Sequence, residues 1–144
     1  MPLDTTLLEA VQRITPVIRD YREQAEHERR LSTPVVDAMA EAGLWRMGTP
    51  RSLGGLEADP LTCARVVEEV AQADSAAGWA LTNPMIYAFS CARLSDAGAE
   101  TVSQRQPHAL IVGSTPTTIQ ATPVAGGYRV TGRVPFVSNC HNAT

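Results

Sequence analysis

The sequence is short of the residues and motifs that usually announce chemistry. Its three cysteines, Cys63, Cys91 and Cys140, are odd in number and far apart, and no C-x-x-C occurs. That pattern argues against a disulfide frame or a cysteine zinc site and fits reduced thiols in a cytoplasmic protein. No window approaches the roughly 20 apolar residues of a membrane span. The opening "MPLDTTLLEAV" lacks the basic start and long apolar run of a signal peptide. There is no G-x-S-x-G, H-E-x-x-H, Walker loop or G-x-G-x-x-G, and no internal repeat or low-complexity tract. Negative charge is also missing from one end. Residues 101–144 carry Arg105, Arg129 and Arg133 but no Asp or Glu, so the net charge of −3 divides into −6 before residue 101 and +3 after it. The total gives no reason to expect nucleic acid or an anionic membrane as partner. The asymmetry has two readings: a change of architecture near residue 105, which is the simpler, or a basic face for an anionic cofactor.

What is present is a chain of 144 residues, 44% hydrophobic and 19% charged, enough for one soluble globular core. Up to about residue 104 the apolar residues recur at helical spacing. Leu7, Leu8, Val11, Ile14, Ile18 and Tyr21 form the first stripe, with Pro16 expected to break it or to open its second half. Ser32 or Thr33 can cap a second helix that has Pro34 in its first turn and Gly43 at its stop. "TPRSLGGLEAD" is a loop. Asp59 caps a third helix, with Leu61, Ala64, Val67 and Val70 expected to face inward. Asp74 or Ser75 caps a fourth, kinked by Pro84, and Ser95 a short fifth. After "RQPH" the pattern changes. "ALIVGS" is β-rich, "TTIQATPV" and "YRVTGRV" alternate, and residues 125–127 supply a hairpin turn. The expected fold class is α+β: an N-terminal all-α helical domain over residues 1–104, then the first strands of an antiparallel β-domain over 105–144.

Few side chains suggest catalysis. His27 lies among charged residues and reads as a surface histidine, and His108 as a structural residue of the linker. Cys140 and His141 are too few for a metal site, and none is expected. Glu68 and Glu69 are adjacent on a helix and diverge by about 100°, so they do not act as a pair. Trp79, among the small residues of "DSAAGWALTNP", is either a core tryptophan or the wall of a pocket for a flat ligand.

Two longer blocks carry a resemblance. "AGLWRMGTPRSLGG" and "GGYRVTGRVPFVSN", in this order and separation, resemble the acyl-CoA dehydrogenase superfamily. The nearest branch is that of the flavin-dependent monooxygenases that share its fold and act on aromatic or polycyclic substrates. The similarity runs from about Arg29 to the C-terminus. It implies an N-terminal helical domain, the beginning of a middle β-domain, and a flavin lying between that domain and a C-terminal four-helix domain absent from these 144 residues.

The resemblance also implies roles. Phe136, Val137, Ser138 and Asn139 occupy the positions of the dehydrogenases' W-I-T-N. Phe136 and Val137 would lie against the flavin, and Ser138 would bond its N5/O4 edge. Val112, Gly113 and Ser114 match the segment passing its pyrimidine side. On the pocket reading of its own neighbours, and not from the resemblance, Trp79 is the candidate for the substrate pocket. Val134 stands where the monooxygenases usually have tryptophan, and Asn139 where they usually have glycine, as in the dehydrogenases. The catalytic Glu or His of these enzymes belongs to the C-terminal domain, so no catalytic residue is assigned.

The expected cofactor is FAD or reduced FMN. The expected function is the N-terminal part of a flavin-dependent oxidoreductase, either monooxygenase or acyl-CoA dehydrogenase, not catalytic by itself. A homo-oligomer or a complementary chain would complete it. A different class of reading is a non-catalytic helical module that binds a partner chain or itself, because an unfinished sheet leaves strand edges and apolar faces uncovered.

Overall fold

The fold is described from a computed structural model for residues 5–104, 109–115 and 118–144, so Arg105 and His108 lie outside the described residues. Six α-helices are present among these residues: α1 Thr5–Asp20, α2 Arg22–Glu28, α3 Thr33–Glu41, α4 Pro60–Ala73, α5 Ser75–Ala88 and α6 Asp96–Ala99. They are followed by one antiparallel pair, β1 Ile119–Val124 and β2 Gly127–Gly132. The α+β order expected from the sequence is therefore the observed one. None of the described helices is long and apolar enough to cross a membrane.

The core sits between α1, α3, α4 and α5. Leu7, Val11 and Ile18 of α1 meet Val35 and Met39 of α3, Val66 and Val70 of α4, and Ala77 and Leu81 of α5. The loop after α3 adds Leu44, Trp45 and Met47, all buried. Trp45 satisfies its one polar atom by donating Nε1 to the Val36 carbonyl at 3.1 Å, which lets a large ring be buried without a desolvation cost. The "TPRSLGGLEAD" loop is pinned on itself: Leu56, Glu57 and Ala58 donate to the carbonyls of Arg46, Thr49 and Met47, and the Arg46 guanidinium donates to that of Leu53.

Several caps are where the sequence places them. Asp59 Oδ1 accepts from the amides of Leu61 and Thr62 at 3.0 and 3.1 Å, and its Oδ2 from the Thr62 hydroxyl at 2.6 Å. These bonds favour the ionised carboxylate, and the Thr62 hydroxyl foremost holds the Asp59 pKa below its usual value. Asp74 Oδ1 accepts from Ala76 N at 2.7 Å, and Ser95 Oγ from Gly98 N at 3.4 Å. Gly43 follows α3 in the left-handed region at φ 74°.

Four expectations are corrected. Pro16 lies inside α1, which continues to Asp20, because its neighbours in the stripe are anchored in the core on both sides. Ser32 occupies the N-cap position of α3, but its buried hydroxyl makes no capping bond. The inward face of α4 is Thr62, Cys63, Val66, Val70 and Ala73, whereas Leu61 and Ala64 are exposed. Val70 faces inward as expected, and Val67 packs partly buried against the core. Finally, residues 109–114 form no strand. Leu110 is buried in the helical core, and its main chain bonds to Thr144 instead of to a neighbouring strand.

The hairpin pairs Ile119 with Gly132 and Val124 with Gly127, with Ala125 and Gly126 at its tip. Every residue of both strands is exposed.

Candidate functional site

Helix α5 links the two segments singled out in the sequence. Trp79, Asn83 and Tyr87 recur every four residues, so they lie along one face with a rise of about 6 Å between neighbours. Trp79 is not in the core; it is 66% exposed. The small residues around it, Ala77, Gly78 and Ala80, are the ones that face inward, and the indole is left outside. Its Nε1 donates to Ser138 Oγ at 3.0 Å across 59 residues of sequence. One turn on, the Asn83 side chain takes the place of a strand partner for Gly113. Its Nδ2 donates to the Gly113 carbonyl at 2.9 Å, and its Oδ1 accepts from the Gly113 amide at 3.0 Å. Tyr87 then closes against the same residue: a Cβ at Gly113 would lie 2.5 Å from its ring. Only glycine permits so close an approach of backbone to ring.

Pro84 contributes by what it lacks. Having no N–H, it leaves the Ala80 carbonyl without its helical donor. Asn139 Nδ2 reaches that carbonyl at 3.5 Å, the long end of hydrogen bonding, while Asn139 Oδ1 accepts from Asn142 Nδ2 at 2.9 Å. The residues after the hairpin are thus tied to α5 at two points.

The structure therefore brings Trp79 to Ser138 and sets Gly113 on the same helix face. Val112 packs on the core and Ser114 is half-buried. Val137 and Ser138 are half-buried, whereas Phe136 is 84% exposed and adopts φ 60°. A left-handed backbone is uncommon for a bulky residue and costs of order 1–2 kcal/mol. Such conformations concentrate where a side chain has to be presented in a set direction. Asn83 escaped the sequence reading; a polar amide mid-helix, directly before a proline, is the only local signal of it.

A cleft of about 560 Å³ opens beside Trp79. Its walls are α2, the start of α5 and residues around Asn139 and His141. Among the described residues no group of three or more His, Cys, Asp and Glu side chains could hold a metal ion. Cys63 and Cys91 are buried and Cys140 is exposed. Burial, with the Asp59 charge second, pushes the Cys63 thiol pKa up.

Comparison with known proteins gives the same family from sequence and from shape. The family model described as acyl-CoA dehydrogenase, N-terminal domain, matches residues 4–110. The indole-3-acetate monooxygenase of Pseudomonas putida is 28% identical over 127 residues, covering 82% of this chain and 30% of that protein. The flavin-dependent monooxygenase oxygenase subunit HsaA of Mycobacterium tuberculosis is 27% identical over 139 residues, covering 96% and 35%. A crystal structure of the M. tuberculosis HsaA monooxygenase superposes with a TM-score of 0.87 at 26% identity, over 99% of this chain and 38% of that one. XiaF from Streptomyces sp., in complex with FADH2 and glycerol, gives a TM-score of 0.82 at 28% identity, over 88% and 32%. The chain thus spans about a third of the length of the relatives it matches.

Proposed function

The chain belongs to the acyl-CoA dehydrogenase family through its N-terminal domain, and on that premise we propose that it forms the helical part and the first β-segment of a flavin-dependent oxygenase. The two parts meet near residue 105. The observation that carries the reading is the pair of anchors on α5, Trp79 to Ser138 and Asn83 to Gly113. They set both candidate flavin-contacting segments on one helix face, one turn apart.

The residues fit a flavin. Ser138 accepts from Trp79, which leaves its own O–H to donate to a ring heteroatom. Phe136 is an exposed aromatic that can cover a flat ring. Gly113 has both main-chain groups committed to Asn83, so those of Val112 and Ser114 are the ones left for a ligand. The flavin, FAD or reduced FMN, would supply the redox chemistry. These residues would orient it, and Trp79 would face the substrate. The relatives' names favour hydroxylation over acyl-CoA dehydrogenation, and "oxygenase subunit" in one of them suggests that a separate reductase delivers reduced flavin. A catalytic base is assigned to no residue of this chain; in this reading it comes from the part of the relatives that the chain does not span.

Titration of the chain with FAD and with reduced FMN, followed by absorbance and flavin fluorescence, tests this. Binding that weakens in Ser138→Ala is expected. Flavin binding unchanged by Ser138→Ala would sink the assignment. A second reading, a helical module that associates with a complementary chain or with itself, has support in the exposed hairpin, where Tyr128 is 69% and Val130 60% exposed. Mass measured in solution during the same titration separates the two: a flavin-free oligomer favours the module, and a flavin-bound species the oxygenase.

A further inference from the structure

We propose that β2 is an association edge: it pairs antiparallel with β2 of a second copy of this chain, about a two-fold axis at Val130, and joins two hairpins into one four-stranded sheet. The proposal deepens the second reading above, on which it rests for self-association, and it is independent of the flavin assignment.

The register of the hairpin sorts its side chains. Ile119, Ala121 and Pro123 lie on one face of β1, and their partners on β2 are Gly132, Val130 and Tyr128. The opposite face carries Gln120 and Thr122 against Thr131 and Arg129, with Val124 beside the turn. The ribbon is therefore amphipathic, yet its apolar face is as exposed as the polar one. The ladder sorts the main chain as well. A two-residue turn closes on a hydrogen-bonded pair, here Val124 and Gly127, and the pattern alternates from there. Ile119, Ala121 and Pro123, like Tyr128, Val130 and Gly132, thus direct their main-chain groups away from the hairpin. The two edges are not equivalent. Pro123 has no N–H to offer and blunts the edge of β1. β2 contains no proline, and no third strand lies beside it among the described residues.

The side chains of β2 select a second copy as the occupant. With Val130 opposite itself, Tyr128 lies opposite Gly132 of the other chain, and Arg129 opposite Thr131. On one face an aromatic ring covers a bare glycine; on the other, each guanidinium meets a hydroxyl. The neighbouring registers are worse. An axis at Arg129 sets two guanidinium groups directly opposite each other, and an axis at Thr131 sets Arg129 opposite Arg133. Like charges directly opposite are destabilising, so charge selects the axis at Val130. The contact is isologous: one patch supplies both halves, and the assembly closes at two chains. It also merges two apolar faces into one. Four strands with an apolar face exceed the minimum for a stable sheet, which two do not reach.

Sedimentation equilibrium of the whole 144-residue chain should give a mass that rises with concentration from one chain to two. Val130→Lys sets an ammonium group opposite its own copy and should weaken association roughly tenfold. Val130 is exposed in the single chain, so the helical fold has no stake in it. Gln120→Lys, on the polar face of β1, should leave association unchanged. Cysteine crosslinking in a Cys140→Ser background tests the register, since Cys63 and Cys91 are buried. Residues opposite each other in a hydrogen-bonded pair have Cα atoms about 5.5 Å apart, within the span of a disulfide. Val130→Cys should therefore crosslink to its own copy on oxidation, and Thr131→Cys should not. A dimer indifferent to Val130→Lys, or one crosslinked faster through Thr131→Cys than through Val130→Cys, would overturn the proposal and leave self-association standing. A monomer at every concentration would leave the edge to another occupant and overturn the proposal together with the second reading.

Discussion

Gly78 is the point of least slack in the helical layer. A methyl group there would lie 2.6 Å from the Cβ of Ala71 on α4, 2.8 Å from its Cα and 3.0 Å from its N. Two of the three atoms are backbone, so no side-chain rotation can relieve the contact. An opposing effect exists: replacing a mid-helix glycine by alanine favours the helix by about 1 kcal/mol. Overpacking a close contact costs about 1–3 kcal/mol, and a rigid backbone partner places this case toward the upper end. The expected net effect of Gly78→Ala is therefore a destabilisation of about 1–2 kcal/mol. Urea denaturation followed by far-UV circular dichroism measures it, and an unchanged m-value would show that the same surface is exposed. Adding Ala71→Gly removes the nearest atom but not the next, so only part of the loss should return, and the double-mutant cycle gives the coupling directly. Stabilisation of the single variant by about 1 kcal/mol, the helix-propensity value alone, would refute the argument that Gly78 sets the spacing of α4 and α5. The consequence reaches the site, since Trp79 is the next residue and moves with the helix.

Three further outcomes are expected. Asn83→Leu strips Gly113 of both partners and should cost about 1–2 kcal/mol in urea denaturation, because that position is only half-buried; Asn83→Asp, which keeps the acceptor and loses the donor, should recover part of it, and equal losses would show that the amide is mere filler. Thiol labelling of the native chain should modify Cys140 rapidly and leave Cys63 and Cys91 protected until denaturant is added, as mass spectrometry of the digested protein would show; labelling of Cys63 at the same rate would contradict its burial. Asp59, with its pKa lowered mainly by the Thr62 hydroxyl, contributes stability that is present above the unfolded carboxylate's pKa near 3.8 and is lost as pH falls through the lower folded value. Asp59→Asn should flatten that acid limb of the stability profile, and an unaltered limb would discard the cap as its source.

Much of this was legible in the chain, and the rest was hidden for identifiable reasons. Caps are local chemistry, so Asp59, Asp74 and Ser95 could be read from short windows. The stripe of α1 could be read because Leu7, Val11 and Ile18 are buried and Leu8, Ile14 and Tyr21 pack partly buried beside them. Proline is also local, yet Pro16 misled, because core contacts on both sides of it hold α1 together. "ALIVGS" has the composition of a strand. Its backbone partners, Asn83 and Thr144, are 30 and 34 residues away in sequence, and no local pattern announces them. Trp79 could be read either way, since burial was decided by which side of α5 faces α4. The segments around Gly113 and Ser138 were legible only through family resemblance, and the amide that holds the first of them was not.

The hairpin is attached to the helices through the chain on either side of it and contributes nothing to their core. A two-stranded ribbon with no packed face is marginal in water. Its ladder should therefore open as a separate cooperative unit, at a free energy well below that of global unfolding. Amide hydrogen exchange would see this as rapid deuterium uptake over residues 119–132 while α1, α4 and α5 stay protected. A urea midpoint or a melting temperature belongs to the helices alone and is silent about the ribbon. Anything that docks against those strands would then be detected as slowed exchange, even where the melting temperature does not move.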